Sequence, residues 1–202
     1  MEFVNNQMEL RNLRIFQREV ERQCTFAVIA WADLAQALDT SNMDRIWYSI
    51  QSFLVAAGNI SKILWPPSPK VKKLEGESGE DFKKRFESRK VMTEERGKEL
   101  RESLSISNDS RLQPRTFRNH FEHFDEELED WIASSERQNF VDSNVGPPDM
   151  IGGIDPNDFL RNLDTTNMAI TFRGNSYRLN PLIAEITTLQ VRASTESAKG
   201  YF

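Results

Sequence analysis

The feature that most restricts the possible folds is a pair of long amphipathic segments near the start of the chain. Over residues 8–38, apolar side chains recur mostly at intervals of three and four, the spacing of one face of an α-helix. Residues 39–42 break the pattern, and a second helical run over 43–64 lasts until two prolines, Pro66 and Pro67. Two long helices joined by so short a connection predict an antiparallel helical hairpin.

Further helices are predicted beyond the two prolines. Residues 66–78 are rich in Pro, Lys, Gly and Ser, which is typical of an exposed connection. A strongly charged helix is expected over 81–103, and turn residues at 107–110 separate it from a last long helix over 114–134. Together with the hairpin, these segments predict an antiparallel helical bundle within residues 1–137.

Residues 138–202 have a different character. Their first part is rich in Gly and Pro and predicts an irregular connection without helix or strand. Residues 168–172 and 176–179, joined by 173–175, predict a β-hairpin, because the Gly-Asn pair in the joint tolerates positive φ. Asn180 is the expected N-cap of a final helix. We therefore predict a mainly α-helical fold, a bundle against which a small C-terminal β-hairpin and a helix pack.

Composition limits the classes of partner. With 38% hydrophobic and 28% charged residues, the chain is typical of a soluble globular protein. Its longest apolar run, residues 24–38, is interrupted by Asp33 and falls short of the ~20 apolar residues that span a bilayer, so we expect no membrane partner. A single cysteine, Cys24, excludes an internal disulfide, and the N-terminus lacks the pattern of a signal peptide. Both observations favour a cytoplasmic location.

The distribution of charge bears on nucleic-acid binding. The formal net charge of −5 argues against a broad, non-specific nucleic-acid binder, which is normally basic. Basic residues nevertheless cluster over 70–101, and much of the acidic excess lies over 122–130. A local site for an anion is therefore compatible with the overall acidity.

Both histidines of the chain lie within six residues, on the segment predicted as the last long helix. His120 falls at the edge of the apolar stripe of that helix and is interpreted as a hydrogen-bonded residue at the core boundary. His123 falls on the outer flank, with Asn119 one turn before it and Glu127 one turn after it. Because imidazole titrates near neutral pH and a carboxylate favours its protonated form, His123 is the better candidate for proton transfer; an ordinary surface histidine paired with Glu127 is the alternative. The predicted apolar stripe consists of Phe117, Phe121, Phe124, Leu128 and Trp131.

The pattern Arg118-Asn119-x-x-x-His123, placed in the last long helix of a predicted bundle, resembles the Arg-x(4–6)-His motif of HEPN domains. The resemblance covers about residues 8–135. It implies an HEPN-like bundle that forms a homodimer, with the motif helices of two protomers facing each other across a cleft. Many members of this family are metal-independent endoribonucleases of bacterial toxin–antitoxin or phage-defence systems. The resemblance thus implies RNA as the substrate, an antitoxin protein as a further partner, and no cofactor.

By this resemblance, Arg118 would stabilise charge on the scissile phosphate and Asn119 would orient a catalytic group. His123 would move protons to and from the 2′-hydroxyl and the leaving oxygen. On a single helix Arg118 and His123 lie on different flanks, so a second copy of the helix is needed to bring them together. The sequence itself contains neither a metal-binding motif nor a phosphate-binding glycine loop.

Polar residues also interrupt the apolar second helix. Asn59, Ser61 and Lys62 are expected to line the same cleft and, together with His120, to bind substrate. The alternative is that Ser61 bonds back to a helical carbonyl and that the Lys62 ammonium extends to water.

Two other functions are compatible with these patterns. The first is a non-catalytic HEPN-like module that binds a nucleotide or a protein, and the acidity of the chain favours it. The second is a helical adaptor without nucleotide function, whose C-terminal hairpin and helix contact a partner protein.

Overall fold

The two long N-terminal segments form the predicted helical hairpin. In the computed structural model, which describes residues 10–114, 123–147 and 150–199, α1 spans Leu10–Asp39 and α2 spans Met43–Leu64. Asn42 caps α2, because its side chain accepts a hydrogen bond from the backbone N–H of Arg45 at 3.0 Å. The helix ends just before Pro66 and Pro67, as the sequence predicts.

Three further helices follow in the described part of the chain. They are α3 at Gly79–Ser103, α4 at Phe124–Ser134 and α5 at Leu179–Ser197. The charged helix is confirmed as α3, whose N-cap Ser78 accepts a hydrogen bond from the backbone of Asp81. The final helix is confirmed as α5, although it begins before Asn180 and its N-cap is Arg178.

The last helix predicted before residue 137 is shorter than expected. Residues 115–122 lie outside the described residues, Pro114 is not helical, and α4 begins only at Phe124. His123 occupies the N-cap position with φ −116° and ψ 41°, which is not a helical conformation. The prediction of one continuous helix through His123 is therefore wrong.

A small four-stranded sheet lies in the C-terminal third. Its strands are β1 (Asn144–Val145), β2 (Asn162–Asp164), β3 (Ala169–Phe172) and β4 (Asn175–Arg178), in the order β1-β2-β3-β4. The β1–β2 pair is parallel and the other two pairs are antiparallel. A short 3₁₀ turn, Pro156–Asp158, precedes β2.

The predicted β-hairpin is confirmed as β3–β4, with a different turn. Its two-residue turn is Arg173-Gly174, with φ of 43° and 77°, the positive values that a type I′ hairpin turn requires. The prediction that Val145 lies in irregular chain is wrong, because it belongs to β1. Neither β1 nor β2 is long enough to show an alternating pattern.

One core joins the N- and C-terminal parts of the chain. Helix α1 packs along both α2 and α5, and apolar residues of α2, β3 and α5 are buried in the same cluster. Polar contacts reinforce the α1–α5 interface: Gln190 donates to Thr25 at 2.9 Å, and Ser197 donates to Glu21 at 2.8 Å. Cys24 is fully buried here, as predicted for a small hydrophobe, and burial raises its pKa to about 12. Within the described ranges, none of the helices combines the length and apolarity needed to cross a membrane.

The contact between α3 and the end of α2 requires a residue without a side chain. A Cβ atom built on Gly97 would lie 2.6 Å from Cδ of Pro66 and 2.9 Å from the carbonyl oxygen of Leu64. Neither atom belongs to a flexible side chain, so relief would require the helices to separate.

Gly97→Ala is therefore expected to destabilise the protein by about 1–3 kcal/mol, despite the better helix propensity of alanine. The measurement is the midpoint of urea unfolding, followed by circular dichroism. Gly79→Ala is the matched control, because nothing lies within 4 Å of a Cβ atom at that position. Equal stability of the two variants would contradict the close contact.

Candidate functional site

His123 lies at the solvent-exposed N-terminus of α4. Its side chain is 56% exposed, and Nδ1 lies 3.3 Å from Oε1 of Glu126. Three consecutive acidic residues, Asp125, Glu126 and Glu127, form the first turn of the helix, where the positive end of the helix dipole stabilises them. The imidazole is thus accessible to a large ligand and has a carboxylate partner.

The carboxylate partner of His123 is not the one that the sequence predicts. Glu127 forms an ion pair with Arg173 at 3.3 Å, and Arg173 also donates to the hydroxyl of Ser134 at 3.0 Å. The expected spacing of one turn does not apply, because His123 precedes the helix and its side chain does not follow the helical flank. Among the described residues, the carboxylate within ion-pair distance of His123 is that of Glu126.

Helix α4 is held in place by a second, smaller apolar cluster. Phe124, Leu128 and Trp131 pack with Leu160 and Phe172, which confirms the three described members of the predicted apolar stripe. Phe117 and Phe121, the other members of the stripe, lie outside the described residues.

A buried carboxylate fixes the other end of α4. Oδ1 of Asp158 accepts hydrogen bonds from Nε1 of Trp131 at 3.0 Å and from the hydroxyl of Ser135 at 2.6 Å. Arg161 lies over the ring of Phe124, 4.3 Å from its centroid, at the end that carries His123. Both ends of the helix are thus tied to the segment that contains the 3₁₀ turn and β2.

The other residues of the predicted motif cannot be placed. Arg118, Asn119 and His120 lie outside the described residues. Their proposed roles therefore stay predictions. Of the three catalytic candidates, Arg118, Asn119 and His123, the structure describes the surroundings of His123 alone.

The polar residues of α2 point to different sides of that helix. Asn59 donates to Oε1 of Gln23 on α1 at 3.1 Å and lies in a shallow groove with Phe26 and Tyr48. Ser61 lies about 200° further round the helix and lines a separate cavity. Asn59 and Ser61 therefore do not share a cleft in the described structure.

Ser61 is buried without a hydrogen-bond partner among the described residues. The residue is 3% exposed, and Oγ makes no hydrogen bond, so the interpretation that it bonds back to a helical carbonyl is wrong. Lys62, the next residue, is half-buried. An unsatisfied buried hydroxyl costs about 1–3 kcal/mol, and Ser61 shares this condition with Ser49 of the same helix.

The cavity beside Ser61 has a volume of about 350 Å³ and lies between α2, residues 111–114, β4 and the start of α5. Its walls are mainly apolar, and two arginines, Arg111 and Arg178, lie in its lining with exposed side chains. Neither arginine is predicted from the sequence, because a loop and a strand end contribute them and no local motif marks either one. The apolar lining residues are Leu54, Ala57, Leu112, Leu179 and Leu182.

Comparison of the chain with family models, with curated proteins and with solved structures gave no match. Across residues 10–114, 123–147 and 150–199, no group of three or more His, Cys, Asp or Glu side chains could hold a metal ion.

The hydrogen bonds to Asp158 predict a pH-dependent stability. The hydrogen bond from Ser135 and, to a smaller extent, the one from Trp131 hold the pKa of Asp158 below its ordinary value. A carboxyl with a lowered folded-state pKa contributes stability above its unfolded pKa of about 3.9 and loses it as pH falls through the folded value.

Asp158→Asn should therefore lower the stability at pH 7 and flatten its decline between about pH 5 and pH 2. Urea midpoints measured over this range test the prediction. Asp130→Asn removes one exposed carboxylate of the same helix and should leave the slope nearly unchanged. Parallel pH curves for wild type and Asp158→Asn would refute the role of Asp158.

Proposed function

We propose that the protein is an HEPN-like, metal-independent endoribonuclease that acts as a homodimer. The observation that carries the proposal is the exposed His123 imidazole, paired with Glu126, at the end of the Arg118-Asn119-x-x-x-His123 pattern. An accessible imidazole next to a carboxylate is suited to proton transfer near neutral pH.

The proposed reaction needs a base, an acid and a cation. The imidazole of His123 removes the proton of a ribose 2′-hydroxyl, and the 2′-oxygen attacks the adjacent phosphorus. The bond from phosphorus to the 5′-oxygen breaks, and that oxygen receives a proton from the His123 imidazolium of either protomer. Arg118 stabilises the charge that develops on the phosphate, and Asn119 orients one of these groups. The products are a 2′,3′-cyclic phosphate and a 5′-hydroxyl.

The electrostatics of α4 set a condition for RNA binding. Asp125 and Glu126 repel a phosphate that approaches His123, whereas the charge of Glu127 is compensated by Arg173. RNA affinity must therefore come from cations outside the first turn of α4. Arg118 and the basic stretch at 70–101 are the candidates in the sequence.

A non-catalytic binding module for a nucleotide or a protein is the second candidate function. Two observations favour it: the acidic first turn beside His123, and a preformed cavity on the other side of α2 from Asn59. In a toxin–antitoxin or phage-defence setting, the partner protein would be an antitoxin.

The ribonuclease proposal is tested with the purified full-length protein and a labelled RNA in EDTA. Wild type should cleave the RNA, and His123→Ala and Arg118→Ala should each lower the rate by about 10²-fold or more, because each removes a group that acts in the transition state. Glu129→Ala, which changes an exposed residue of the same helix, is the control. Product ends are identified by their sensitivity to phosphatase and kinase.

Three outcomes would overturn the ribonuclease proposal. They are cleavage that depends on added divalent metal, unchanged cleavage by His123→Ala, and a protein that stays monomeric at the assay concentration. Intact RNA after incubation with a folded dimer would favour the binding module. His120→Ala is expected to lower stability more than turnover.

A further inference from the structure

The cavity beside Ser61 combines an apolar interior with cations in its lining. Leucine and alanine side chains of α2, α5 and residues 111–114 form most of its wall. Its volume of about 350 Å³ lies near the lower end of the range for small-molecule sites. Such a space suits a compact organic molecule.

The hydroxyl of Ser61 supplies a polar group without a partner in this interior. Ser61 is more than nine-tenths buried, and its Oγ has no hydrogen-bond partner among the described residues. Buried hydroxyls are normally satisfied, and the cost of leaving one unsatisfied is recovered if a ligand provides a partner. Ser61 lines the cavity, but its Oγ has almost no exposed surface, so it becomes a hydrogen-bonding group for a bound molecule once the side chain turns toward the cavity.

The charges around the cavity favour an anion. Arg111 and Arg178 both line it, and within the described part of the chain no carboxylate lies within ion-pair distance of either guanidinium. No described lining residue is acidic. The nearby carboxylate of Glu185 accepts hydrogen bonds from the hydroxyl of Ser110 and the backbone N–H of Arg111, and so holds the loop that carries Arg111.

We propose that this cavity binds a small organic anion. Its carboxylate or phosphate monoester contacts Arg111 and Arg178, its compact apolar body fills the interior, and a polar atom bonds to Ser61. Guanidinium groups bind both kinds of anion through charge-assisted hydrogen bonds. This site is independent of His123 and of any reaction with RNA.

The proposal is tested by isothermal titration calorimetry of the full-length protein without RNA. The probes are phenyl phosphate, phenylacetate and the neutral 2-phenylethanol. At least one anionic probe should bind saturably, and 2-phenylethanol should bind at least ten-fold more weakly, because hydrogen bonds to charged groups are the strong ones. The relative affinities of the first two probes show which anion the site prefers.

Variants locate the binding site. The double variant Arg111→Ala with Arg178→Ala should bind the anionic probe at least ten-fold more weakly than wild type. Arg11→Ala with Arg89→Ala removes the same charge at two exposed positions that do not line the cavity, and should leave binding unchanged. Ser61→Ala should weaken binding by a few-fold without lowering the melting temperature of the free protein, because the hydroxyl it removes is unsatisfied.

Any of three results would overturn the proposal. They are no saturable binding of either anion, an affinity for the neutral probe equal to that for the anions, or an equal loss of anion affinity in the two double-arginine variants. A lower melting temperature for unliganded Ser61→Ala would show that the hydroxyl already has a partner. Loss of RNA cleavage in His123→Ala with unchanged probe binding would separate this site from the ribonuclease site.

Discussion

The close packing of α1 against both α2 and α5 is the interaction on which the rest of the structure depends. Half of the buried residues of α1 are small, namely Cys24, Ala27, Ala30 and Ala37. Small side chains allow helix axes to approach closely, and the larger residues of α2, such as Phe53 and Ile60, fill the remaining space. The sheet then packs against this assembly through Leu163 and Ile170.

Helix α4, at whose N-terminus His123 lies, depends on a different and smaller set of contacts. Helix α4 is attached through Trp131, Leu160 and Phe172 rather than through the main core. Its remaining anchors are polar: the hydrogen bonds to Asp158 and the ion pair of Glu127 with Arg173. The position of His123 is therefore set by electrostatics and a few aromatic contacts. This differs from the apolar packing that defines the bundle.

The long helices could be predicted from sequence because their information is local. Periodic apolar residues and the two prolines fix α1 and α2 closely. The strands β1 and β2 could not be predicted, since two or three residues carry no recognisable period. The sequence predicts too early a start for α4, because the apolar spacing continues past residue 123 toward the N-terminus although the backbone at His123 is not helical.

The candidate sites likewise combine features that the sequence predicts with features that only the tertiary structure shows. The sequence identifies His123 as a candidate because histidine is rare in this chain and its chemistry is distinctive. Its pairing with Glu126 in place of Glu127 depends on where the helix begins, and Arg173, which binds Glu127, is distant in sequence. The cavity beside Ser61 is assembled from three separate segments. Only the tertiary arrangement of these segments brings Arg111 and Arg178 to the same cavity as Ser61.

The polar contacts between α1 and α5 have a consequence for biosynthesis. Thr25 and Gln190 are 165 positions apart, and Glu21 and Ser197 are 176 apart. A nascent chain that has already emerged through α3 still lacks the helix that covers this side of α1, which stays open to water. Completion of the fold therefore waits until residues 179–197 have been synthesised and can pack on α1.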